Sequence, residues 1–145
     1  LRLLRQLHVG DQVLVAVVAE LSRVLRKTDV LARMGGEEFC VLCTLNEPGQ
    51  AFIVAEKLRR TIEAMKVPLQ DGNFIKLTIS LGVHKAEPDQ TMEAVLKAAD
   101  IALYIAKSGG RNRSVFYTKG MENGETEEHG KAGSIQEGTT LDWGK

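Results

Sequence analysis

A chain of 145 residues, 43% hydrophobic and 26% charged, is long enough for one domain with a substantial core. Its 19 lysines and arginines balance 19 aspartates and glutamates, so no global field favours nucleic acid or membrane, and any anion binding must come from a local cluster. No apolar run is long enough to cross a bilayer and the N-terminus has no signal-peptide pattern, so the expected location is cytoplasmic, with no membrane contact by this segment.

The first predicted element is a helix over residues 12–26, with Leu14, Val17, Val18, Leu21 and Leu25 at helical spacing and Asp11 as its N-cap or first-turn carboxylate. Residues 29–34 read as a strand with Val30, Ala32 and Met34 on one face. After Gly35-Gly36, residues 39–45 are apolar on both faces, as a central strand covered by helices would be. Cys40 and Cys43 have C-x-x-C spacing, but strand alternation points them opposite ways and no second pair completes a zinc site. They read as reduced core thiols.

Asn46-Glu47-Pro48-Gly49 breaks the chain before a second helix, 49–65, striped by Phe52, Ala55, Leu58, Ile62 and Met65. A loop over 68–73, with a tight turn at Asp71-Gly72, leads to a predicted strand over 74–83. The third helix, 91–107, carries Val95, Ala98, Ala99, Ala102 and Ala106 and stops at Gly109-Gly110; a short strand at 114–117 follows. Alternating helices and strands define an α/β or α+β class, with three helices layered on a sheet. Residues 119–145 are rich in Gly, Glu and Thr and are expected to form a flexible polar tail behind a domain of residues 1–118.

Two short stretches carry charge of chemical interest. Gly35-Gly36-Glu37-Glu38 sits at the tip of a predicted hairpin, where glycines admit a ligand close to the backbone and paired carboxylates suit a hard cation such as Mg²⁺. Taken alone, the tip is more simply a solvated turn. Lys107 and Arg111 flank the end of the third helix, where cations also favour the helix dipole. There is no Walker-type glycine loop to hold phosphates otherwise.

GGEEF at 35–39 is similar to the signature of GGDEF domains, the diguanylate cyclases. Arg26-Lys27-Thr28-Asp29 resembles the family's R-x-x-D element, LTISLGV at 77–83 a strand, AADIALYIAKSGGRNRSVFY at 98–117 its C-terminal helix and turn, and HVGDQVL at 8–14 the start of its first helix. The resemblance covers residues 8–118 and implies an N-terminally truncated, palm-like βαββαβ nucleotidyl cyclase fold. It implies condensation of two GTP into cyclic di-GMP and pyrophosphate by a homodimer using Mg²⁺ or Mn²⁺, with no nucleic acid partner. Glu37 would be a metal ligand and, with Glu38, catalytic. Asp11, Gly35, Gly36, Lys107 and Arg111 would hold the substrate. Arg26 and Asp29, with Lys57 in place of an arginine, would form the product-inhibition site. The alternative is an inactive cyclic di-GMP receptor that binds through Arg26 and Asp29.

The family's D-x-D-x-F-K-x-x-N-D strand has no counterpart here; counting back from Asp11 puts its metal aspartate before residue 1. That strand is central, so its place is expected to be filled by another copy or by the N-terminal leucine-rich segment, and cyclase activity of the chain by itself is expected to be low.

Overall fold

The structure, a computed structural model, describes residues 2–36, 38–47, 49–123 and 139–142. The chain opens with helix α1 (Arg2–Val24), passes through the antiparallel hairpin β1 (Val30–Gly35) and β2 (Glu38–Leu42), and enters helix α2 (Gln50–Ala64). A small hairpin, β3 (Val67–Pro68) and β4 (Phe74–Ile75), precedes β5 (Ser80–Val83). Helix α3 (Met92–Ser108) and strand β6 (Ser114–Phe116) follow, then a single 3₁₀ turn (Met121–Asn123) and β7 (Thr139–Asp142).

The main sheet has the order β1-β2-β7-β5-β6. β7 is antiparallel to both neighbours, with Glu38 opposite Asp142 on one side and Ser80 opposite Asp142 on the other. β5 and β6 run parallel, joined through α3 as a parallel pair requires. The expected mixed helix-and-strand class is the one observed.

Strand alternation sorts the two helix layers. Phe39, Val41, Leu81 and Val83 are buried with Val17 and Leu21 of α1 and Ala55, Leu58 and Ile62 of α2, in one cluster that also takes Cys43. The opposite face belongs to α3. A Cβ placed on Gly82 would lie 2.0 Å from the Ala99 carbonyl oxygen and 2.3 Å from the Leu103 nitrogen, so only glycine lets the helix lie this close. Alanines do the same from the helix side: Ala98, Ala99, Ala102 and Ala106 are all buried. Thr91 caps α3, its Oγ1 accepting from the Ala94 amide at 3.1 Å.

Several expectations need correction. The first helix starts ten residues early, at Arg2, so Asp11 lies inside it and caps nothing. The leucine-rich N-terminal segment is therefore helical, and the central strand comes from the C-terminal residues 139–142. Those four residues were expected in a flexible tail over 119–145; residues 124–138 and 143–145 of it lie outside the described residues. Val30 and Met34 are each 51% exposed, and Leu31 on the other face of β1 joins the core instead, as an edge strand allows. The run 74–83 divides into β4 and β5, each pairing in a different sheet. Phe52 is half-exposed, because Ala51 takes the buried side of the stripe. There it stacks on Phe116. The third helix does stop at Gly109-Gly110 as expected, with Gly109 as its C-cap and positive φ at Gly110, Arg111 and Asn112.

Gly82→Ala is expected to lower unfolding free energy by about 3 kcal/mol or more, because the clash is with helix backbone that cannot rotate away. Urea denaturation checks it; a shift below about 1 kcal/mol would mean that α3 stands further from β5.

Candidate functional site

The hairpin tip is built by backbone geometry. A register shift between Arg33 and Gly35 makes a bulge, and Gly35 (φ 153°) and Gly36 (φ 51°) carry the reversal. A Cβ on either glycine would meet nothing within 4 Å, so the space before the tip is open. Arg33 clamps the turn from behind: its Nε and one terminal nitrogen donate to the Gly36 carbonyl at 3.0 and 2.9 Å. Glu38 is exposed at the start of β2. Glu37 lies outside the described residues.

The cationic turn follows α3. Lys107 is in the last helical turn, and the Arg111 amide donates to the Ala106 carbonyl at 3.0 Å. Arg111 (φ 62°) and Asn112 (φ 47°) are both left-handed. The turn is tied to β5 twice. The Asn112 amide donates to Ser80 Oγ at 3.1 Å, and the Leu81 amide donates to the Arg113 carbonyl at 2.9 Å.

The sheet register brings tip and turn to one end of the molecule. Glu38 and Ser80 flank Asp142 in the same row, and the turn is bonded to Ser80. With neighbouring strands about 4.8 Å apart, Glu38 lies roughly 10 Å from Ser80 and roughly 14 Å from the β6 edge. Asp11 is not part of this row; it is exposed on α1, which packs on α2.

Arg26 and Asp29 meet at the corner between α1 and β1. The Asp29 carboxylate accepts from the Arg26 amide at 2.7 Å and from its guanidinium at 3.3 Å, and the same guanidinium donates to the Thr44 carbonyl at 2.6 Å. The Asp29 side chain is 4% exposed and that of Arg26 54%. Burial, and after it the Asp29 carboxylate, push the neighbouring Cys43 thiol up to about 12. Lys57 is exposed on α2 and lines a groove between α1 and α2 with Glu20 and Arg23.

No group of three metal-ligating side chains occurs among the described residues. The described tip carboxylate, Glu38, offers one hard oxygen donor. Mg²⁺ takes one or two carboxylates and fills the rest of its octahedron with water and phosphate oxygens, so the donor set fits an ion arriving with a triphosphate rather than a resident one. Sequence reasoning assigned no role to Arg33, Arg59, Ser80 or Asn112. Arg33–Gly36 and Arg59 with Glu56 and Glu63 are local spacings common on any surface, while the Arg59–Asn112 and Asn112–Ser80 bonds span 53 and 32 residues and leave no local pattern.

A mixed sheet between two helix layers, with an acidic glycine tip and a cationic turn at one end, is an architecture of the nucleotidyl cyclase type. The model of the family described as diguanylate cyclase, GGDEF domain, matches residues 7–113, and the chain belongs to that family. It is 42% identical over 106 residues to diguanylate cyclase DgcP of Pseudomonas aeruginosa, covering 72% of this chain and 15% of that protein. It is 38% identical over 112 residues to the cyclic di-GMP phosphodiesterase NbdA of the same organism, covering 76% of this chain and 14% of that one. The crystal structure of the GGDEF domain of DgcB from Caulobacter crescentus in complex with c-di-GMP is similar at TM-score 0.70 and 29% identity, over 75% of this chain and 65% of that one. The chain thus spans about one seventh of the length of the two curated relatives.

Two outcomes follow from these contacts. Arg33→Ala should speed amide exchange at residues 34–38 about tenfold while changing global stability by less than about 0.5 kcal/mol, because the lost bonds are exposed; unchanged exchange would show that the clamp is idle. For Cys43 the folded state holds the proton more tightly, its thiol standing near 12 against an ordinary 9.0. The stability that burial of the neutral thiol contributes is complete below pH 9 and is lost as pH rises toward 12. The stability gap between wild type and Cys43→Ala should therefore narrow over that window in urea titrations; a constant gap would contradict it.

Proposed function

We propose that this chain is the nucleotide-holding domain of a diguanylate cyclase, which condenses two GTP into cyclic di-GMP with release of two pyrophosphates. In each half-reaction a 3′-oxygen attacks the α-phosphorus of the facing GTP, its proton leaves to solvent or a carboxylate, and pyrophosphate departs. Two copies of the chain, each holding one GTP, face each other in this scheme. The observation that carries the reading is the shared sheet end of the Glu38 tip and the 109–113 turn.

In this reading Gly35 and Gly36 let the tip lie against the nucleotide, Lys107 and Arg111 hold the triphosphate, and Glu37 and Glu38 seat Mg²⁺ or Mn²⁺. Arginine adds a planar fork suited to phosphate oxygens. Bound there, the metal would neutralise phosphate charge and lower the barrier to ionising the attacking hydroxyl. Asp11 would read the guanine edge only if α1 approaches the tip.

The test is calorimetry and turnover with GTP and Mg²⁺. Micromolar binding and slow release of cyclic di-GMP are expected, with Glu37→Ala or Glu38→Ala cutting turnover at least about hundredfold. No GTP binding by the wild-type chain would overturn the proposal.

Product binding at Arg26 and Asp29 is a second reading, favoured by the half-exposed Arg26 side chain and by the c-di-GMP complex of the similar DgcB domain. Asp29 is already bonded to Arg26, so the arginine would supply most of the contact. Arg26→Ala should then abolish calorimetric binding of cyclic di-GMP while Glu37→Ala spares it; equal binding by both variants would rule it out.

A further inference from the structure

Arg59 on α2 is the most heavily engaged cation among the described residues, and it lies on none of the site positions above. Its side chain is 14% exposed. Nε reaches both oxygens of Glu56 at 3.1 Å, a terminal nitrogen adds a third bond to Glu56 at 2.9 Å, and the other terminal nitrogen donates to Glu63 at 3.2 Å and to Asn112 Oδ1 at 2.9 Å. Glu56 fixes the plane of the fork, so the nitrogen facing Asn112 has little freedom left. The same contact holds the Glu56 carboxyl below the usual carboxylate range.

Asn112 is held by three bonds from two elements, α2 and β5. Its side-chain oxygen takes the Arg59 bond, its side-chain nitrogen donates to Glu63, and its amide donates to Ser80 Oγ. It does so from a left-handed backbone, directly after Arg111, which is left-handed too. Consecutive residues with Cβ atoms are costly in that region, and persist where the surroundings over-determine them. The surroundings here are α2 and β5, rigid elements outside the turn.

We infer that Arg59 and Asn112 are positioning residues: the Arg59–Asn112 bond fastens the 109–113 turn to α2, beside the Asn112–Ser80 bond that ties it to β5, and so sets where Arg111 is presented to a nucleotide's phosphates. This rests on the proposed GTP site in naming the ligand, but the fastening itself is independent of it. The simpler account makes Asn112 only a residue that tolerates left-handed backbone. The two accounts part at Asn112→Gly, which relieves the backbone cost while removing the anchor.

The experiment uses the full chain with Arg59→Lys, Asn112→Gly and the double variant. Amide exchange at residues 110–112 is read without ligand, and affinity for GTP and for guanosine with Mg²⁺. If the turn is fastened, each single variant raises exchange there about tenfold and leaves residues 81–83 unchanged. Each weakens GTP about tenfold, the double variant weakens it little further, and guanosine affinity stays within about twofold, because a bond to a charged group is lost beside the phosphates alone. Unchanged exchange in Asn112→Gly, or additive losses in the double variant, would overturn the inference. A wild-type chain that binds no GTP, with exchange still raised in both variants, would instead sink the nucleotide reading and leave the fastening in place.

Discussion

The sheet depends on the pairing of four residues, Thr139–Asp142, between two of its most buried strands. β2 presents Phe39, Cys40 and Val41 to the interior, and all of β5 is buried. Each has a row of amides and carbonyls facing β7, and leaving such groups unpaired in the interior costs about 1–3 kcal/mol apiece. β7 bonds to both neighbours along its whole length. Two threonines give it a pleat-compatible, β-branched backbone. Its register does more than close the sheet. By setting Glu38 and Ser80 on either side of Asp142 it fixes how far the acidic tip stands from the strand that carries the cationic turn.

What could be read from the residues follows from how local each signal is. The tip announced itself because two glycines and two glutamates are adjacent, and α3 because its alanines recur at helical spacing and end at a glycine pair. β7 gave no such sign. Thr-Thr-Leu-Asp lacks the apolar density of a central strand, and its partners lie about sixty and a hundred residues earlier. The start of α1 was misjudged for the opposite reason: Gly10-Asp11 looks like a beginning, yet leucine, arginine and glutamine on either side sustain the helix through one glycine. The division of residues 74–83 into two sheets is likewise a tertiary choice, made by which strands have edges to offer.

The charges at the α1–β1 corner and those of the tip and turn are arranged differently. At the α1–β1 corner the aspartate is buried, accepts from the arginine beside it, and stabilises the chain reversal as a local bond. Contact there leaves the carboxylate little to offer a ligand beyond the exposed part of Arg26. The tip and turn are kept apart by intervening strands, so their charges cannot collapse onto each other. With two strand spacings between Glu38 and Ser80, roughly 10 Å, against a Debye length of about 8 Å in physiological salt, attraction between exposed charges of tip and turn is largely screened.

In a chain of zero formal net charge, such a separation has a chemical consequence. A lone anion would be drawn to the turn and repelled by the tip, and a lone cation the reverse. A species carrying both signs a few ångströms apart gains at each end, and a triphosphate with its divalent ion is one. Each end is held by an arginine side chain, Arg33 on the Gly36 carbonyl and Arg59 on Asn112. The planar fork of each can hold an acceptor from a fixed direction, the Gly36 carbonyl for Arg33 and the Asn112 side-chain oxygen for Arg59. Geometry at this end of the sheet is thus set one layer away from the groups that would meet the ligand.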